Sequence, residues 1–113
     1  TWVHCAGKPT PEVILTEGAL KADIVHALTG RTVIAVAGVN ALNHLEPVLH
    51  ELRSHGTEKI MTAFDMDFLT NPHVQSGYEH LAAILNRTGL RYGTYVWDPA
   101  YKGLDDFVTA SIV

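Results

Sequence analysis

Four short apolar runs, each followed by a stretch of helical periodicity, constrain this chain more than any other feature. Residues 13–15 are continuously apolar and halted by Thr16-Glu17-Gly18, and residues 32–36 are β-branched and apolar. Residues 59–64 are mostly apolar, and residues 91–97 alternate in the manner of a less buried strand. All are too short for typical helices and suit the strands of a buried parallel sheet. Between them, Leu20, Ile24, Ala27 and Leu28 fall at helical spacing and predict a helix over 19–28, closed by Thr29-Gly30. Leu42, Leu45, Leu49 and Leu52 mark the inner face of a second helix, which ends at Ser54-His55-Gly56. Pro47 conflicts with a helix interior, so the helix is expected to start near Glu46, with Pro47 in its first turn. Asn71-Pro72 opens a third helix with Val74, Tyr78, Leu81 and Leu85 on one face. Leu104 or Asp105 opens a last one through Phe107, Val108 and Ile112.

The resulting order, βαβαβαβα, is satisfied by an α/β fold. It calls for a mostly parallel, four-stranded sheet with right-handed crossovers and helices on both faces. Residues 1–12 form a lead-in or a short edge strand through Trp2 and Val3, followed by a turn over Gly7-Lys8-Pro9-Thr10-Pro11; the domain proper is 13–113. The chain opens at Thr1 without an initiator Met, so the expectation is a domain cut from a longer protein. At 113 residues with 47% hydrophobic and 18% charged, it is long enough for one real core. Cys5 is the one cysteine, which excludes a disulfide framework and makes a reducing cytoplasm the default location. No apolar run approaches the ~20 residues of a membrane span, so no membrane association is expected. The net charge of −4 argues against a freestanding nucleic-acid binder, unless a bound cation inverts the charge locally. The seven histidines are scattered without ligand spacing and read as ordinary side chains.

In such folds ligands bind at the carboxyl edge of the sheet, and the acids gather there. The first predicted strand delivers Glu17, the third Asp65 and Asp67, and the loop after the fourth Asp105 and Asp106. The second ends in Ala37-Gly38-Val39-Asn40, a small-residue turn that brings backbone close to the first loop. If strand periodicity continues briefly past Phe64, Asp65 and Asp67 point the same way. Two converging carboxylates repel unless a cation sits between them, and a hard divalent ion such as Mg²⁺ suits oxygen ligands. Each piece also has an ordinary structural role open to it. Glu17 can favour a helix N-terminus through the macrodipole, and Asp105 or Asp106 can be an N-cap. The Asp65/Asp67 pair is less easily explained so, because a cap needs only one of them. Other motifs fail: Asp65-Met66-Asp67-Phe68 is followed by Leu69, not the Thr that a haloacid-dehalogenase phosphatase needs. A receiver domain would reverse the acid counts after the first and third strands. No G-x-x-x-x-G-K-[ST] or G-x-G-x-x-G loop is present.

With these motifs in this order, the chain resembles a Toprim domain, the metal-binding fold of bacterial-type primases, topoisomerases and some nucleases. The matching residues are Thr16-Glu17-Gly18, Ala37-Gly38-Val39-Asn40, Phe64-Asp65-Met66-Asp67 and Lys102-Gly103-Leu104-Asp105-Asp106. More narrowly, residues 17–23, Asn71-Pro72-His73-Val74 and 102–106 look like an uncharacterised Toprim-like family found in replication proteins of plasmids, phages and mobile elements, often with primase or helicase regions. The resemblance implies a Mg²⁺ site (or Mn²⁺) made by Glu17, Asp65, Asp67 and Asp105, with Asp106 as a further ligand or helix cap. It implies Glu17 as the catalytic general acid or base, with Gly18, Gly38 and Asn40 supplying loop backbone. Lys21 and Lys102 are candidate phosphate contacts, and each is as easily a solvated side chain. The expected partners are DNA or RNA, nucleoside triphosphates and other domains of the parent chain. The expected chemistry is metal-dependent phosphodiester or nucleotidyl transfer. The competing readings are a Toprim-type nuclease and a non-catalytic binding module, and the isolated domain is expected to be inactive alone. One departure bears on this. Primases carry an acidic residue near the position of Lys21 and a Gly-containing basic loop after the acid pair, where this chain has Phe68-Leu69-Thr70. The metal site carries over, and nucleotidyl transfer does not.

Overall fold

A computed structural model describes residues 3–37, 42, 44–64, 72–95 and 108–110. In chain order the elements are β1 (Val3–Ala6), β2 (Glu12–Glu17), α1 (Ala19–Thr29), β3 (Val33–Val36) and α2 (Leu45–Ser54). They are followed by β4 (Lys59–Thr62), α3 (Pro72–Thr88) and β5 (Arg91–Thr94), and residues 108–110 are helical. The strands form one sheet in the order β1-β3-β2-β4-β5. The pairs β3–β2, β2–β4 and β4–β5 are parallel, and only β1 runs antiparallel, against β3.

The sheet therefore has five strands, where the chain's periodicity predicts four. The added strand is β1, with Val3 abreast of Val36 and Ala6 abreast of Val33. Four residues interrupted by His4 and Cys5 give no clear apolar period. The alternation is real nonetheless, since Val3 packs against the core on one face while His4 bonds Asp23 of α1 at 2.7 Å.

Period-two alternation along each strand sorts the core into two layers. Val13, Leu15, Ile34, Val36, Ile60 and Phe64 face α2 and α3 and pack with Leu45, Leu49, Leu52, Leu81, Ile84 and Leu85. Ile14, Val33, Ala35 and Ala63 face the other way and meet Ala22 and Val25 of α1. Helices thus cover both faces, as the alternating pattern requires. Arg87 of α3 reaches Glu46 of α2 at 2.9 Å, tying the outer ends of the paired helices.

Helix boundaries follow local chemistry. Gly30 ends α1 in the left-handed conformation (φ 72°) and donates its N–H to the His26 carbonyl at 2.8 Å. Pro47 lies in the first turn of α2, where a missing N–H leaves no helical bond unmade. The buried stripe of α1 is not the one whose spacing marks the helix. Leu20 is 73% exposed and Leu28 42%, while Ala22 and Val25 are buried. Small side chains on α1 meet Val33 and Ala35, so the helix lies close to the sheet on its least bulky stripe. On the third helix, Tyr78, Leu81 and Leu85 do face the core, and the side chain of Val74 lies outside the described residues.

Candidate functional site

The two central neighbours, β2 and β4, lead away from the sheet in opposite senses. From β2 the chain passes through α1 to β3 on one side; from β4 it passes through α3 to β5 on the other. The helices they feed lie on opposite faces. The β2/β4 boundary is therefore the topological switch point, where an open α/β sheet has its crevice at the carboxyl edge.

Glu17 is the last residue of β2, half-buried and abreast of Val36. Next to it, β4 is held in register with Leu15 opposite Thr62. The Ala63 N–H donates to the Leu15 carbonyl at 2.8 Å, and the buried Thr16 hydroxyl donates to the Ala63 carbonyl at 2.8 Å. These two bonds fix the chain on both sides of Ala63 against the end of β2. Phe64 is then anchored by its ring, which meets Tyr78 edge-on with centroids 5.4 Å apart. Beyond β4, the Tyr95 N–H donates to the Thr62 carbonyl at 2.8 Å, which extends the pairing of β5 along the same edge.

Gly18 turns the chain from β2 into α1 with φ 87° and ψ 121°, a conformation that residues with a side chain rarely adopt. Its N–H donates to the Val36 carbonyl at 2.8 Å, continuing the β2–β3 pairing one residue past Glu17, while the turn over 38–40 lies outside the described residues. Gly18 offers no side-chain cap, and no acid lies in the first turn of α1. The partial positive charge of the helix start therefore sits immediately after Glu17, which is compatible with both the macrodipole role and the ligand role. Lys21, half-buried on that first turn, lays its aliphatic stem over Gly18: a Cβ built there would lie 3.8 Å from Lys21 Cγ.

Of the residues singled out by sequence, Glu17, Gly18 and Lys21 therefore meet at the carboxyl edge of the central strand. Asp65, Asp67, Lys102, Asp105, Asp106, Gly38 and Asn40 lie outside the described residues. Among the described residues no group of three or more His, Cys, Asp or Glu side chains is arranged to hold a metal. The chemistry of the proposed set, carboxylate oxygens only, suits a hard cation such as Mg²⁺. Sequence reasoning passed over Thr16 and the Phe64–Tyr78 contact. The available signal was a hydroxyl placed inside an apolar strand beside Glu17, where it needs a partner once buried.

Among the described residues no helix is long and apolar enough to cross a membrane. No curated protein and no solved structure matches the chain. A family model does match, over residues 1–112, and the chain belongs to that family, described as a domain of unknown function, DUF3854.

Proposed function

We propose that this domain is a Toprim-like metal-binding unit of a DNA replication protein, associated with primase or helicase regions. Its site combines Glu17 with Asp65, Asp67 and Asp105 around Mg²⁺ or Mn²⁺. One observation carries the reading: at the switch point, the end of β4 is hydrogen-bonded alongside the end of β2 that bears Glu17. Asp65 is joined directly to Phe64, and adjacent Cα atoms are held about 3.8 Å apart. When bound, the ion supplies charge neutralisation and polarisation at a phosphodiester or triphosphate. Glu17 serves as a ligand or as the general acid or base. The N-terminal end of α1, with Lys21 on its first turn, favours an anionic group at the same edge.

A second reading, a non-catalytic module that binds nucleic acid or a partner, is favoured by the apolar Phe68-Leu69-Thr70 after the acid pair. A metal titration tests the shared premise. Mg²⁺ at a hundredfold its Kd stabilises the fold by about 2.7 kcal/mol and shifts the NMR signals of Glu17, Asp65 and Asp67. An unchanged melting temperature together with unchanged signals refutes the site. In the full-length parent protein, Asp65→Asn abolishes priming or nuclease activity on the first reading and leaves it intact on the second.

A further inference from the structure

Away from the carboxyl edge, a cavity of about 340 Å³ opens between the edge strand β1 and the helix α2. Cys5 and Ile34, cross-strand partners, form one wall; Val48 and Leu52 form the other. Its polar groups are Glu51 in the last turn of α2, His55 at the cap that follows it, and the Cys5 thiol. The Thr32 hydroxyl, also at the wall, is already donated to the Lys8 carbonyl.

What these groups offer a ligand follows from what they already do. The Glu51 carboxylate makes no ion pair among the described residues, and neither does Lys8 in the adjoining turn. His55 Nδ1 lies 2.8 Å from the Glu51 carbonyl, which only accepts, so Nδ1 carries the proton and Nε2 of the neutral ring is an acceptor. Arg53, the basic residue of the last turn, is directed elsewhere and donates to the Thr88 carbonyl at 2.6 Å. Glu51 and His55 also lie at the C-terminal end of α2, where the macrodipole is negative. Burial, and then the Glu51 charge, push the Cys5 thiol above its usual range and keep it protonated. An apolar-walled cavity whose Glu51 carboxylate and His55 Nε2 are acceptors in a negative field, beside the weakly polar Cys5 thiol, calls for a cationic donor on a short hydrocarbon stem.

We propose that this cavity binds a primary alkylammonium group, with its hydrocarbon along Val48 and Leu52 and its ammonium between Glu51 and His55. Its volume, at the low end for ligand sites, suits a stem of a few carbons. The same chemistry comes from a free small amine or from a lysine side chain.

Cys5 is the chain's one cysteine, so its reactivity toward a neutral aromatic disulfide reagent reports on this cavity alone. Millimolar pentylammonium slows the reaction of Cys5 saturably, and pentanol, pentanoate and sodium chloride of equal ionic strength do not. Nα-acetyl-lysine amide protecting at lower concentration than pentylammonium assigns the site to a lysine side chain; the reverse assigns it to a free amine. Glu51→Gln, an exposed position, weakens amine protection about threefold, as loss of an exposed ion pair should. NMR methyl shifts of Val48 and Leu52 in the unmodified protein provide the same readout without mutation. Equal protection by pentanol, full protection retained in Glu51→Gln, or no protection and no methyl shift overturns the proposal.

Discussion

The two faces of the sheet are built to different thicknesses. Under α2 and α3, the layer is made of leucine, isoleucine and phenylalanine, and Leu49, Leu81 and Leu85 are fully buried. Under α1, the helix contributes Ala22 and Val25, set on Val33, Ala35 and Ala63. Hydrophobic stabilisation grows with buried apolar area, so the thick layer carries most of it. The thin layer does something else. It lets α1 lie close to the sheet, directly after the Gly18 N–H that donates to the Val36 carbonyl at the carboxyl end of the β2–β3 ladder.

Large-to-small substitution on the thick face is the strongest test of this asymmetry. Leu49→Ala should cost about 2–5 kcal/mol in urea unfolding. An equal loss from Val25→Ala, which removes one carbon fewer from a thinner layer, would erase the contrast. A middle-sized effect is expected where the thin layer meets the candidate site. Thr16→Val keeps the shape but leaves the Ala63 carbonyl without its donor, at about 1–3 kcal/mol. It should also shift the amide signals of Phe64 and Asp65; a stability loss with those signals unmoved would show that Thr16 does not position the end of β4. The smallest effect separates the two stripes of α1. Leu20→Gln should change stability by no more than about 0.5 kcal/mol, and a core-sized loss would place Leu20 on the inner face.

That last case shows how far periodicity reaches. Leu20, Ile24, Ala27 and Leu28 correctly identify a helix, because their spacing is helical whichever side they occupy. They do not identify the side, because Ala22 and Val25 form a second apolar stripe and close packing on Val33 and Ala35 selects the smaller one. The β2, β3, β4 and β5 segments were legible as strands because three are apolar runs bounded by turn residues and the fourth alternates. β1 was ambiguous because its stability comes from pairing with β3 and from the His4–Asp23 contact, both remote in sequence. At the candidate site, Glu17 was legible as the residue that ends an apolar run. The hydrogen bonds that fasten β4 beside it join positions nearly fifty residues apart (|i−j| of 47 for Thr16 and Ala63) and leave no local pattern.

The antiparallel direction of β1 has a consequence for tethering. Because Val3 lies abreast of Val36, the chain enters this strand at the carboxyl edge, the same edge at which β2 ends in Glu17. A domain joined ahead of β1 through a short linker would be held beside that edge at a high effective concentration. A reader, clamp or substrate-gripping module fused there needs little intrinsic affinity for the rest of the domain to work on the same ligand.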